Sequence, residues 1–319
     1  MDIFKSGLLS PMDVKERSKP FDDPKYIYEV KYEGARCLAY LEAGRTKLID
    51  KKCTDITDKF PELSELHTQV SGRCILDGAL IIGAGDRGCR KALHRRSGLT
   101  HPLMIKLGAK FTPAVFVAFD ILYHHDRQIT QFPLISRKKL LGGIVRENNR
   151  IAVSRYVEGT GEALFEAARA KRLGGILAKK KSAPYLVGET TKDWVKIKNL
   201  FEDDFVICGY VPHGRKITCL LLGQYSRGGK LVYKGHVRVN MSRHDTHVIT
   251  RQKEAGECLL LGDRQVPNAE VIWVMPHLVC TVEYAAINEN GILEGAEFVS
   301  LRVDKTPYEV MEYVSLAFV

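Results

Sequence analysis

A chain of 319 residues is too long for one ordinary domain and suits a large domain followed by a small one. Its 45% hydrophobic and 27% charged residues are those of a globular protein with material for a core, and no window approaches the ~18 continuous apolar residues of a membrane span. The formal charge of +10 is uneven: residues 1–200 hold 36 Lys and Arg against 23 Asp and Glu, whereas residues 201–319 hold 12 against 15. The first part therefore suits a polyanionic partner, with a solvated basic surface as the plain alternative. Met1 to Lys5 lack the basic-then-apolar layout of a signal peptide, so the protein is expected to stay inside the cell, in the cytoplasm or nucleoid. Cys37, Cys53, Cys74, Cys89, Cys208, Cys219, Cys258 and Cys280 are scattered without a CxxC pair and are expected to be thiols, mostly buried, rather than disulfides or zinc ligands.

In chain order, Tyr28 to Tyr32 and Cys37 to Leu41 read as two strands around a turn at Glu33 and Gly34, and Thr46 to Ile49 continues the sheet. Cys74 to Gly78 and Ala114 to Asp120 are apolar runs carrying a carboxylate near their ends, as buried strands that deliver a polar group to a cleft would. Helical patterns cover Leu134 to Arg146 and Gly161 to Lys171, and Leu173 to Lys179 reads as another strand. After Asn199 the composition changes to short strands between Gly-rich turns: Phe205 to Tyr210, Thr218 to Gly223, Leu231 to Gly235 and Val279 to Ala285. That pattern fits a small OB-type barrel. Two domains are expected, over residues 1–200 and 201–319, with the acidic run Glu202-Asp203-Asp204 as the hinge.

Lys31-Tyr32-Glu33-Gly34-Ala35-Arg36 is the segment richest in chemistry. A lysine attacks phosphorus only as the neutral amine, which burial and neighbouring cations favour. A lysine ending a strand, followed by a tight glycine turn and an arginine, sets an amine and a guanidinium together at a phosphate site. The bland alternative is a surface hairpin. The hexapeptide resembles the KxDGxR nucleotidyl-lysine motif of DNA ligases, RNA ligases and capping enzymes, with Glu33 in place of Asp.

Further segments resemble the ATP-dependent DNA ligases in family order. Glu29 matches the acidic residue near the adenine edge. Asp50 and Lys51 stand where the family has Ser and Arg, ahead of an intact Phe60-Pro61-Glu62-Leu63. Leu76 to Leu80 is similar to LDGEL, Phe119 to Tyr123 to FDILY, Pro133 to Lys138 to the LPLxxRK helix start, and Gly174 to Lys179 to EGIVAK. Trp194 to Lys198 matches WxKxK, whose two lysines share a strand face, and Arg302 to Lys305 resembles RxDK. The resemblance runs from about residue 10 to about residue 312 and is closest to the compact ligases of bacterial and archaeal end joining. It implies an α+β fold: an ATP-grasp-like nucleotidyltransferase domain of antiparallel sheets and helices, then an OB-fold barrel.

It also implies roles. Lys31 would take AMP from ATP as a lysyl adduct. Glu29, Arg36, Lys51, Phe119, Lys179, Lys196, Lys198, Arg302 and Lys305 would bind the nucleotide. Asp77, Asp120 and Asp304 would hold Mg²⁺ or Mn²⁺. The partners would be nicked double-stranded DNA and end-joining helper proteins, for a monomer that is not bound to membrane. Two positions depart from the pattern: Ala79 and Gly174 stand where the family has Glu, which suggests an impaired or trapped metal site. A glutamate restored at either is expected to raise the rate. An RNA ligase or other covalent nucleotidyltransferase, and a non-catalytic protein that binds DNA ends, are the rival readings.

Between residues 87 and 110 the chain carries Arg87, Arg90, Lys91, Arg95, Arg96, Lys106 and Lys110 and no acid. Because unpaired Lys and Arg are almost never fully buried, this segment is expected to face solvent or to clamp the DNA backbone.

Overall fold

The computed structural model describes residues 4, 9–83, 89–171, 173–214, 216–262, 270–288 and 290–312, with the side chains of 89–91 left aside. The chain divides into two compact units, Met1–Asn199 and Leu200–Val319. The strands of the first are β1 (Asp13–Glu16), β2 (Tyr26–Val30), β3 (Ala35–Glu42), β4 (Arg45–Asp50), β5 (Cys74–Ile82), β6 (Ala114–His124), β7 (Arg127–Gln128), β8 (Ile151–Val153), β9 (Tyr156–Glu158), β10 (Gly175–Lys180) and β11 (Thr190–Lys198). Its helices are α1 (Cys89–Gly98), α2 (Pro102–Phe111), α3 (Leu134–Ile144) and α4 (Gly161–Ala170).

These strands form two sheets, ordered β1-β11-β10-β2-β9 and β4-β3-β5-β6-β7, with β8 added to β6. The ladders are antiparallel except β1 on β11 and β8 on β6, which run parallel. Strand alternation divides each sheet into two faces. Ile27 and Trp194 of the first sheet pack with Leu38, Tyr40, Ile75 and Leu122 of the second, so the sheets share a core. Tyr28, Ile176, Ala178 and Ile197 point the other way, onto Phe165 and Ala168 of α4. Cys37, Ala39, Leu41 and Leu76 leave the second sheet's outer face to meet Leu93 of α1 and Leu141 and Ile144 of α3.

The second unit contains β12 (Phe201–His213), β13 (Lys216–Tyr225), β14 (Leu231–Arg238), α5 (Arg243–Thr250), β15 (Ile272–Tyr284), β16 (Ala286–Ile287), β17 (Leu293–Glu294) and β18 (Glu297–Arg302). Five of its strands form an antiparallel sheet in the order β14-β13-β12-β15-β18. A helix between the third and fourth of these strands, buried through Ile249, gives the OB-fold arrangement. The acidic run is not a hinge. Glu202, Asp203 and Asp204 lie inside β12, laddered to Glu283, Val282 and Thr281 of β15, and the Tyr284 hydroxyl donates to Asp203. A ladder on that side fixes the backbone that a hinge must free. Among the described residues the cysteines are free thiols: Cys37, Cys74, Cys208, Cys219 and Cys280 buried, Cys53 and Cys258 half-buried.

Candidate active site

The register of β2, β10 and β11 builds the site. Glu29 stands opposite Leu177, which stands opposite Lys196. Lys179 stands between Ile27 and Trp194, and Gly175 opposite Lys198. Residues opposite one another share a face, so Glu29, Lys179, Lys196 and Lys198 project from the face that carries Ile27 and Trp194 toward the second sheet. Lys31 extends β2 two residues past Glu29, and its N–H donates to the Gly175 carbonyl at 2.9 Å. The facing sheet contributes Arg36, Asp77, Phe119 and Asp120.

Each cation of this cleft stands on a carboxylate. Lys138 and Lys179 lie 2.5 and 2.7 Å from the two oxygens of Glu29, and all three side chains are 1% exposed. Burial pushes the Glu29 carboxyl up, but the two ammonium groups outweigh it and hold it below its ordinary value. Burial likewise pushes the Lys179 amine down, against the pull of Glu29. Lys179 Nζ also lies 4.6 Å from the centre of the Phe119 ring and 4.4 Å from that of Trp194, cation–π distances both. Arg36 crosses the same Phe119 ring at 4.7 Å and donates two bonds to Asp77, at 2.6 and 2.5 Å. Lys196 and Lys198 meet on one oxygen of Glu16, 2.9 Å each, and their hydrogen bonds hold that carboxyl below its ordinary value. Lys51 is exposed and pairs with Asp13 at 2.8 Å. Lys31 donates to Glu33.

The carboxylates expected to hold metal each bond an arginine. Asp77 and Asp120 are fully buried. Asp77 receives Arg36 and, at 2.6 Å, the Tyr185 hydroxyl; Asp120 receives two bonds from Arg137, each 2.9 Å. Each is thus already neutralised by a bidentate guanidinium pair. Asp304 belongs to the second unit, where Arg302 bonds it at 2.8 Å and holds its carboxyl at about 2. Among the described residues no three His, Cys, Asp or Glu side chains are grouped to hold a metal.

Arg302 and Lys305 converge on Asp204, at 3.1 and 2.8 Å, so the RxDK residues form one network within the second unit. Of the basic segment, Arg87 lies outside the described residues, as do the side chains of Arg90 and Lys91. Arg95, Lys106 and Lys110 are exposed, as expected. Arg96 is a correction. It is buried, and it donates to both oxygens of Glu62 (2.8 and 3.0 Å) and to the carbonyls of Lys59 and Ile105. It is a structural tie between α1, α2 and the Phe60-Pro61-Glu62-Leu63 turn. Its acidic partner lies 34 positions away in the sequence, where a local charge count does not register it.

Sequence reasoning also passed over three contributors: Lys138, noted only as part of a helix start; Tyr185, the second donor to Asp77; and Glu16, the bridge between two lysines. A flat aromatic plate under two cations, beside a row of lysines and an amine at a strand end, is suited to a nucleotide whose base stacks and whose phosphates meet the lysines.

Comparison with known proteins agrees with this geometry. The family model described as ATP dependent DNA ligase domain matches residues 9–198, and the one described as ATP dependent DNA ligase C terminal region matches residues 213–305. The chain is 27% identical over 296 residues to the SPbeta prophage-derived DNA ligase-like protein LigB of Bacillus subtilis, covering 92% of this chain and 99% of that protein. It is 28% identical over 313 residues to DNA ligase C1 of Mycolicibacterium smegmatis, covering 93% and 89%. It is 27% identical over 329 residues to the multifunctional non-homologous end joining protein LigD of Pseudomonas aeruginosa, covering 96% of this chain and 38% of that protein. The crystal structure of the ligase domain from M. tuberculosis LigD shares the fold, with a TM-score of 0.53 at 23% identity over 96% of this chain and 99% of that one. The chain belongs to the ATP-dependent DNA ligase family.

Proposed function

We propose that Lys31 is the nucleophile of this ligase. Its Nζ attacks the α-phosphorus of ATP, a P–N bond forms, and pyrophosphate leaves. AMP then passes to the 5′-phosphate at a nick in double-stranded DNA. The 3′-hydroxyl displaces AMP and the strand is sealed. Phe119 stacks on adenine and Glu29 lies along the base. Lys196 and Lys198 exchange Glu16 for the α-phosphate, and Arg36, Lys51 and Lys179 add positive potential around the nucleotide. Arg302, Asp304 and Lys305 serve pyrophosphate departure in the first step only. The observation that supports this assignment best is the register of β2, β10 and β11, which gathers four widely separated charged residues on one face beside Lys31.

The family uses a divalent metal together with ATP. Magnesium is commonly held by one or two carboxylates and the substrate's own phosphates. Mg²⁺ or Mn²⁺ therefore arrives with ATP, bound to its phosphates. The basic face of Arg95, Lys106 and Lys110 contacts the DNA backbone. The chain works inside the cell as a monomer, in end joining beside helper proteins; its relative LigD of Pseudomonas aeruginosa is a non-homologous end joining protein. Intact-mass measurement after incubation with ATP and Mg²⁺ or Mn²⁺ tests the first step. A gain of one AMP that Lys31→Ala abolishes, with the fold intact, is the expected outcome. An adduct of equal yield in that variant removes Lys31 from the mechanism.

A further inference from the structure

Gly174 stands where the resembling motif has a glutamate, and the space a side chain would take there is occupied by another acid. A Cβ built on Gly174 lies 2.0 Å from Glu33 Oε1, 3.0 Å from Lys31 Nζ and 3.1 Å from Glu33 Cδ. The neighbouring Gly175 is a backbone requirement: its φ is +117° and a Cβ there meets the Ile197 carbonyl at 2.1 Å. Gly174 has no positive φ, so its backbone accepts other residues. What a side chain at 174 meets first is the Glu33 carboxylate, the far end of a flexible side chain, which lies in the volume above it, accepts a hydrogen bond from the Lys31 amine and has to swing off that amine to make room. Both side chains are mostly covered, at 20% and 18% exposure, so the contact is shielded from solvent.

We infer that Glu33 and Gly174 act as one reciprocal unit, in which Glu33 is the positioning residue of the Lys31 amine and Gly174 is the gap that admits its carboxylate. The longer acid at 33, where the family motif has aspartate, reaches the amine from its own strand end. The acid missing at 174 is thereby replaced by one that occupies the same space beside the same amine. This rests on Lys31 as the nucleophile and adds what holds it. It also reverses the expectation that a glutamate at 174 helps, because Gly174→Glu must first evict Glu33.

A double-variant cycle tests the unit. Glu33→Asp withdraws the carboxylate by one methylene, and Gly174→Glu displaces it. Each alone should slow formation of the AMP adduct by about tenfold, while the combined variant should recover to within about threefold, since contacting residues are non-additive. Glu33→Gln should lower the maximal rate without changing the half-saturating ATP concentration, because it touches the nucleophile and not the nucleotide; a general distortion of the site moves both. Acylation of Lys31 by an amine-reactive reagent, read by peptide mass spectrometry, needs no ATP. It should quicken in Gly174→Ala and return to the parent rate in the combined Glu33→Asp, Gly174→Glu variant. Single effects that simply multiply in the combined variant, in adduct formation or in acylation, overturn the pairing. An adduct surviving Lys31→Ala removes the nucleophile instead.

Discussion

Replacing Arg96 separates a structural cation from a DNA-binding one. Arg96 and Glu62 are 3% and 4% exposed at the side chain, and Glu62 also accepts the Ala114 N–H at 2.9 Å. Arg96→Ala leaves Glu62 buried without its guanidinium and frees the carbonyls of Lys59 and Ile105. Removing one member of a buried pair costs about 3–5 kcal/mol. With a urea slope of about 2 kcal/mol per molar, the unfolding midpoint of the first unit should fall by roughly 1.5–2.5 M. No residue of α2 is buried, and Arg96 bonds one of its carbonyls, so α2 should lose hydrogen-exchange protection first. Arg95→Ala, one position away on an exposed side chain, should move the midpoint far less than Arg96→Ala and lower the salt slope of DNA binding by roughly one unit. Urea unfolding followed by tryptophan fluorescence and salt-titrated binding of a nicked duplex give both numbers. An Arg96→Ala protein with the parent midpoint and a reduced salt slope would refute the structural assignment and return Arg96 to the DNA surface.

Two other outcomes are expected. Burial pushes the thiols of Cys37 and Cys280 far up, and that of Cys74 up to about 12, so under native conditions iodoacetamide should modify Cys53 and Cys258 well before Cys37, Cys74, Cys208, Cys219 or Cys280. Equal labelling of all of these would contradict the burial described. The Asp304 carboxyl, held by its hydrogen bonds with Arg302, should titrate at about 2 in a carbon-detected NMR experiment. Because the value is depressed, the ion pair is intact above the ordinary aspartate range and is lost as pH falls through about 2. Arg302→Gln should bring the midpoint back toward 3.8, and an unmoved midpoint would show that Arg302 is not the cause.

The sequence by itself determined the parts whose signal is local. Short continuous apolar runs marked Cys37 to Leu41 and Ala114 to Asp120 as strands, because a strand covered on both faces carries apolar side chains at nearly every position, and the segments around Lys31, Trp194 and Arg302 carried their identity in adjacent residues. The tertiary structure decided which carboxylate meets which cation. Asp77 and Asp120 look alike from the sequence, each closing an apolar run, but Arg36 with Tyr185 and Arg137 claim them across 41, 108 and 17 positions. Arg96 looks like its neighbour Arg95, yet one helical step turns it inward onto Glu62. Gly174 reads as a lost carboxylate until Glu33 is found in the space above it. Ion pairing depends on distances that chain folding sets, at a range where sequence neighbours carry no information, and a buried charge is stable only where such a partner arrives.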